Sequence, residues 1–139
     1  MSAGRCLCGA VAYRVDGPLR PVIVCHCVDC RRWHGRAAAM TCAPRQSLAI
    51  TGEEALRWFR LPDGPERGWC GRCGSSLFWT APGRDTVSIA AGTLDDPREL
   101  RVVAHIWWEH AEPWEAEQPG DVPHHPRGAP PALAAPPQR

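Results

Sequence analysis

The sequence of 139 residues contains no lysine and no asparagine, so its 16 basic side chains are all arginines. A chain without lysine cannot use a lysine Schiff base or a lysine general base. The formal net charge is only +1 and no basic cluster is present, which argues against nucleic acid as a partner. No apolar run approaches the roughly 20 residues of a membrane span, and none has the position of a signal peptide. We therefore expect a cytoplasmic protein without nucleic-acid or membrane partners.

Proline, glycine and other turn residues divide the first part of the chain into short segments with strand-like composition. These segments are 10–15, 21–25, 37–42, 48–51, 55–61, 76–80, 86–91 and 100–108, of which 37–42 fits either a strand or a helix. No longer window has a helical period, so we predict an all-β, sandwich-like or layered fold over residues 1–116. Residues 117–139 are rich in proline, alanine and glycine, and we predict that they form a disordered tail.

Eight cysteines lie between Cys6 and Cys73. In a cytoplasmic chain such cysteines are read as metal ligands or reactive thiols before disulfides. A disulfide framework becomes the alternative if the compartment is oxidising.

Cys70 and Cys73 form a CxxC motif, in which a tight turn brings both sulfurs to one metal ion. Cys6 and Cys8 form a CxC motif, and on an extended strand their side chains point to the same side. The two pairs together predict a structural zinc site with four thiolates. A redox pair formed by Cys70 and Cys73 alone is the alternative.

A second set consists of Cys25, Cys27 and Cys30. We expect Cys25 and Cys27 to share a strand face, with His26 pointing away and Cys30 returning after a short turn. Three protein ligands and an open fourth position are typical of catalytic zinc, and such an ion can present an exogenous thiolate as a nucleophile. In the alternative, Cys42 closes the site; otherwise Cys42 is an inert buried thiol.

These motifs, in this order, resemble the glutathione-dependent formaldehyde-activating enzymes, a family that includes centromere protein V-like proteins. The matching segments are 4–11, 25–35, 67–75, 91–97 and 105–107, with Trp114 at the end. The resemblance implies a β-tent of packed antiparallel sheets. It also implies two zinc ions per chain: a structural one on Cys6, Cys8, Cys70 and Cys73, and a catalytic one on Cys25, Cys27 and Cys30.

The family's reaction implies that this chain is a carbon–sulfur lyase-like enzyme. It would add formaldehyde, or a related small aldehyde, to glutathione or another small thiol. We expect Arg31 and Arg32, which follow the last ligand, to attract the carboxylates of that thiol. The alternatives are a non-catalytic zinc-stabilised binding module and a thiol redox sensor.

Overall fold

The computed structural model describes residues 1–62, 64–116 and 122–137. Its strands are β1 Ser2–Arg5, β2 Ala12–Val15, β3 Val22–Cys25, β4 Ala38–Pro44, β5 Leu48–Thr51, β6 Leu56–Arg60, β7 Glu66–Cys70, β8 Ser76–Thr80, β9 Thr86–Ala90 and β10 Val102–Ile106. Its α-helices are α1 Val28–His34, α2 Pro113–Ala116 and α3 Pro131–Ala134. No helix within these ranges is long and apolar enough to cross a membrane.

The strands form two sheets. The smaller sheet has the order β1-β2-β5 and the larger one the order β10-β3-β4-β9-β8-β7-β6. All neighbouring strands are antiparallel except β10 and β3 at one end of the larger sheet. The prediction of an all-β fold with packed antiparallel sheets is confirmed.

The core lies between the two sheets. Tyr13 on β2 meets Phe78 on β8 edge to face, with ring centroids 5.3 Å apart, and its hydroxyl lies 2.8 Å from Thr93 Oγ1. Gly4 on the neighbouring strand packs directly against this ring, and a Cβ atom there would lie 2.3 Å from the tyrosine oxygen. The close approach of β1 to β2 therefore requires a glycine at position 4.

Strands 48–51 and 76–80 were predicted with their observed bounds, and segment 37–42 belongs to a strand. Sequence reasoning missed β1, β7 and α1. The first two contain glycine and few apolar residues, so they carry a weak strand signal. Helix α1 has only seven residues, which is too short for a helical period to emerge.

The C-terminal segment of the structure can be compared with the predicted disordered tail. Residues 117–121 and 138–139 lie outside the described residues, but residues 123–127 pack beside the edge strand β10 and the turn after it, and residues 131–134 form α3. His105 N–H donates to Pro123 O at 2.9 Å, and His125 N–H donates to His105 O at 2.8 Å. The His124 ring stacks on Trp108 with centroids 3.8 Å apart. Disorder therefore does not describe 122–137, because an exposed sheet edge supplies backbone partners that composition does not reveal.

A chain that ends at residue 121 should unfold at a lower temperature than the full chain. It loses the five backbone hydrogen bonds that residues 123–127 make with residues 105–109, and the ring stacking on Trp108. The hydrogen bonds alone amount to about 2.5 kcal/mol if each contributes about 0.5 kcal/mol. Thermal unfolding followed by circular dichroism measures the change. The control chain ends at residue 137. Equal midpoints for the chains ending at 121 and 137 would contradict this packing.

Candidate metal centres and their cavity

The sulfur atoms of Cys6, Cys8, Cys70 and Cys73 all lie within 4.8 Å of one another. The Sγ atoms of Cys6 and Cys8 are 3.6 Å apart, and those of Cys8 and Cys70 are 3.8 Å apart. A tetrahedral zinc ion with Zn–S bonds of about 2.3 Å separates its sulfurs by about 3.8 Å. Both distances match a tetrahedral ion, and all four cysteines are free thiols in the structure.

Two turns bring these thiols together. Strand β1 ends at Arg5, so Cys6 and Cys8 lie in a turn and do not share the strand face that the sequence analysis predicted. The turn is closed by a hydrogen bond from Gly9 N–H to Cys6 O, 3.1 Å. The partner turn begins where β7 ends, and Gly74 N–H donates to Cys70 O at 2.8 Å. Gly74 has a φ of +81°, a conformation that favours glycine.

Polar groups around these turns favour thiolates at Cys73 and Cys6. The hydroxyl of Ser75 lies 3.2 Å from the sulfur of Cys73. Hydrogen bonds from this side chain and from the Ser75 backbone lower the pKa of the Cys73 thiol to about 5. Val11 N–H also donates to the sulfur of Cys6 at 3.3 Å. Thiolates are the form that binds zinc.

The second cluster joins the sulfurs of Cys25, Cys27 and Cys30, again within 4.8 Å of one another. Cys25 is the last residue of β3, Cys27 is the N-cap of α1, and Cys30 lies in the first turn of that helix. The prediction that Cys25 and Cys27 share one strand face is wrong, because the chain turns into the helix between them. Within the described ranges no fourth histidine, cysteine or carboxylate joins the cluster.

The start of α1 favours a negative charge on Cys27. Its sulfur accepts a hydrogen bond from Cys30 N–H at 3.3 Å. The thiols of Cys25 and Cys30, together with the backbone N–H groups of Cys30 and Asp29, lower the pKa of Cys27 to about 2. The hydrogen bonds that Cys25 makes to the other two thiols, together with burial, raise the pKa of Cys25. One thiolate is therefore shared by three sulfurs, which suits a cation held between them.

This cluster opens into a cavity of about 600 Å³, whereas Cys42 and the four-cysteine cluster lie outside its lining. All three cysteines line the cavity. The other lining residues include Arg20, Ile23, His34, Met40, Arg67, Trp79, Arg84, Trp107 and His110. Gly128, Ala129 and Ala134, which come from the C-terminal segment, form another part of its wall. The volume accommodates a small organic ligand.

His26 points away from the cavity into a buried polar cluster. Its Nε2 is 2.8 Å from His105 Nδ1, and its Nδ1 lies 3.4 Å from Glu115 Oε2. Burial lowers the pKa of both His26 and His105, so both rings are neutral near pH 7. Glu115 also accepts a hydrogen bond from Ala37 N–H at 3.0 Å. The cluster thereby fixes the two chain segments on either side of α1.

Arg31 and Arg32 were predicted to attract the thiol substrate. Arg31 lies on α1 and pairs with Glu112 at 3.5 Å, while Arg32 is exposed. Neither lines the cavity. The arginines that do line it are Arg20, Arg67 and Arg84, which sequence reasoning missed because no metal-ligand motif marks their positions.

Comparison with known proteins agrees with this geometry. The family model of glutathione-dependent formaldehyde-activating enzymes matches residues 1–110. The chain belongs to this family. The family that the motifs resemble is thus confirmed, and membership supports a formaldehyde-activating, thiol-related function. No curated protein matches the chain significantly.

Among solved structures, the chain is similar to a protein of Rhodobacter sphaeroides known from a crystal structure. The two share 20% sequence identity with a TM-score of 0.59, over 88% of this chain and 98% of the other. At this level of identity the likeness concerns the fold alone.

We predict that the zinc-loaded wild type holds two zinc ions, and that Cys70→Ser holds one and unfolds at a lower temperature. Structural zinc contributes an apparent binding free energy of about 10–16 kcal/mol in small zinc modules, and a three-ligand site loses much of it. Native mass spectrometry after zinc loading and desalting counts the ions. The matched control is Cys42→Ala, which should keep two. One ion in Cys42→Ala would instead make Cys42 a ligand and contradict the open site.

Stability should fall as the pH drops below about 6.5, and His105→Gln should flatten that dependence. Because the pKa of His105 is lowered in the folded state, the unfolded chain binds more protons in this window. Each such histidine contributes at most about 1.4 kcal/mol per pH unit. Urea unfolding at pH 7.5 and 5.5 measures the slope.

The control for that experiment is His110→Gln, since His110 is exposed. Both variants keep all seven clustered thiols, so acid release of metal affects them equally. The groups around the His105 ring are His26, His124 and Trp108, with Glu115 acting from further away. If stability depended on pH in His105→Gln as it does in the wild type, the pKa of His105 would be the same in the folded and unfolded chains.

Proposed function

We propose that Cys25, Cys27 and Cys30 hold a zinc ion and that the chain adds formaldehyde, or a related small aldehyde, to glutathione or another small thiol. The reaction is that of a carbon–sulfur lyase in the synthetic direction. A bond forms between the thiol sulfur and the carbonyl carbon, and the thiol proton moves to the carbonyl oxygen. The product is an S-hydroxymethyl adduct, and nothing is oxidised or reduced.

The observation that supports this proposal most directly is the placement of three converging thiols in the wall of a cavity. The donor set is soft, lacks a fourth described ligand and already favours one thiolate. Bound zinc would supply an open coordination position at which an incoming thiol ionises near neutral pH. The four-cysteine cluster has no such position and is proposed to hold a structural zinc ion.

Other residues of the chain supply the apolar walls and the proton transfer that the reaction requires. Trp79, Trp107 and Met40 give the cavity apolar walls around the three-cysteine cluster. His34 and His110 place imidazoles on the same cavity, and these can pass a proton between thiol and carbonyl oxygen. Burial, and then the charge of Arg67, lower the pKa of His34, so that its ring is a neutral proton acceptor.

The zinc-loaded protein should accelerate exchange between formaldehyde and its thiol adduct, and Cys27→Ser should return the rate to the uncatalysed value. Serine removes the sulfur whose thiolate the start of α1 favours. Exchange spectroscopy by NMR measures both rates, with glutathione and several other cellular thiols.

Cys42→Ala is the control, because it also removes one thiol but leaves both clusters intact. No acceleration with any thiol, in a protein shown to hold two zinc ions, would exclude this function. A binding module would then be the better interpretation.

A further inference from the structure

The wall of the cavity carries more positive than negative side chains. Arg20, Arg67 and Arg84 line it, and Asp29 is the one carboxylate among its described lining residues. Arg20 is satisfied by backbone oxygens, since its Nη2 donates to Met40 O at 2.8 Å and its Nε to Pro21 O at 3.2 Å. Within the part of the chain that the structure describes, the side chains of the other two arginines have no such partners.

Arg67 is the unusual residue of the three. It lies on β7, its exposed fraction is only 4%, and its guanidinium meets no acceptor and no carboxylate among the described residues. None of its nitrogens is among the fully buried polar atoms that lack a partner, so they keep accessible surface in the cavity that Arg67 lines. A guanidinium is permanently charged and carries five N–H donors, which remain available to a ligand there. Its charge interacts with Cys30 and His34, which places it on the side of the cavity that holds the thiols.

Arg84 adds a second charge on the same cavity. Arg67 is the register partner of Trp79 on β8, so their side chains share one face of the sheet. The guanidinium of Arg84 lies over the Trp79 ring, 5.2 Å from its centroid, and Arg84 itself is exposed at the cavity's edge. Two guanidinium groups thus flank one indole, one inside the cavity and one at its edge.

We propose that Arg67 and Arg84 form an anion subsite that binds the carboxylate or phosphate of the substrate thiol while its sulfur reaches the three-cysteine cluster. Arginine can hold either group through two parallel hydrogen bonds. The subsite selects acidic thiols over neutral and cationic ones. The role of the bound molecule as a thiol substrate rests on the proposed function, whereas binding of the anion does not.

The first test measures binding of molecules that cannot react. The probes are 3-(methylthio)propanoate, 2-(methylthio)ethyl phosphate and the neutral 3-(methylthio)propan-1-ol, titrated into the zinc-loaded full chain and followed by NMR. We expect the anionic probes to bind about tenfold or more tightly than the alcohol, in line with a charge-assisted hydrogen bond. The stronger of the two anions distinguishes carboxylate from phosphate recognition.

Arg67→Met should remove this preference, and Arg67→Lys should keep part of it because the charge remains. Arg84→Met changes an exposed side chain, so it tests the subsite even if substitution of the buried Arg67 impairs folding. The matched control is Arg14→Met, an exposed arginine on β2 outside the cavity lining. Equal affinity of all probes for the wild type, or anion binding unchanged in both Arg67→Met and Arg84→Met, would overturn the proposal.

A second test separates the subsite from the reaction. In the formaldehyde exchange assay, 3-mercaptopropanoate should have a kcat/KM about tenfold or more above that of 2-mercaptoethanol, and Arg67→Met should level the two. Exchange with equal kcat/KM for both thiols refutes the subsite and leaves the function intact. Binding of the anionic probes that depends on Arg67, without any exchange, refutes the function and leaves the subsite intact.

Discussion

The convergence of four thiols from two distant turns is the constraint on which the rest of the molecule depends. Cys6 and Cys8 follow β1 of the smaller sheet, while Cys70 ends β7 of the larger one and Cys73 follows it. A metal ion held there ties the two sheets together at one end of their shared core. A domain of this size buries a limited apolar surface, so such a tie adds to stability that packing supplies only in part.

The same sulfur chemistry serves two different ends in this fold because the surroundings differ. The four-cysteine cluster offers four sulfurs, which is the number of ligands that a structural zinc ion takes. The three-cysteine cluster lacks a fourth described donor and opens into a cavity of about 600 Å³. His26, between two of those cysteines, turns the other way and meets His105 and Glu115. The buried cluster therefore holds in place the segment that presents the thiols.

The grouping of the seven clustered cysteines was predictable because short spacings limit which sulfurs can meet at one point. Their backbone setting was not. We expected strand geometry to bring the side chains of Cys25 and Cys27 together. The chain instead enters α1 there, and Cys27 caps that helix. The prediction of disorder for residues 122–137 was also wrong. Composition indicates how little apolar surface these residues can bury, but it does not show that β10 forms hydrogen bonds with this segment.

The sequence by itself determined the all-β class, the division of the cysteines into four and three, and the family. Each depends on the spacing or alternation of residue types along the chain, which can be read from the sequence alone. Only the tertiary structure decided which charges surround the candidate active site. Arg31 and Arg32 follow Cys30 in the chain but lie outside the cavity lining, whereas Arg67 reaches the cavity from β7. Strand order decides which distant residues share one cavity, and strand order depends on packing across the whole domain.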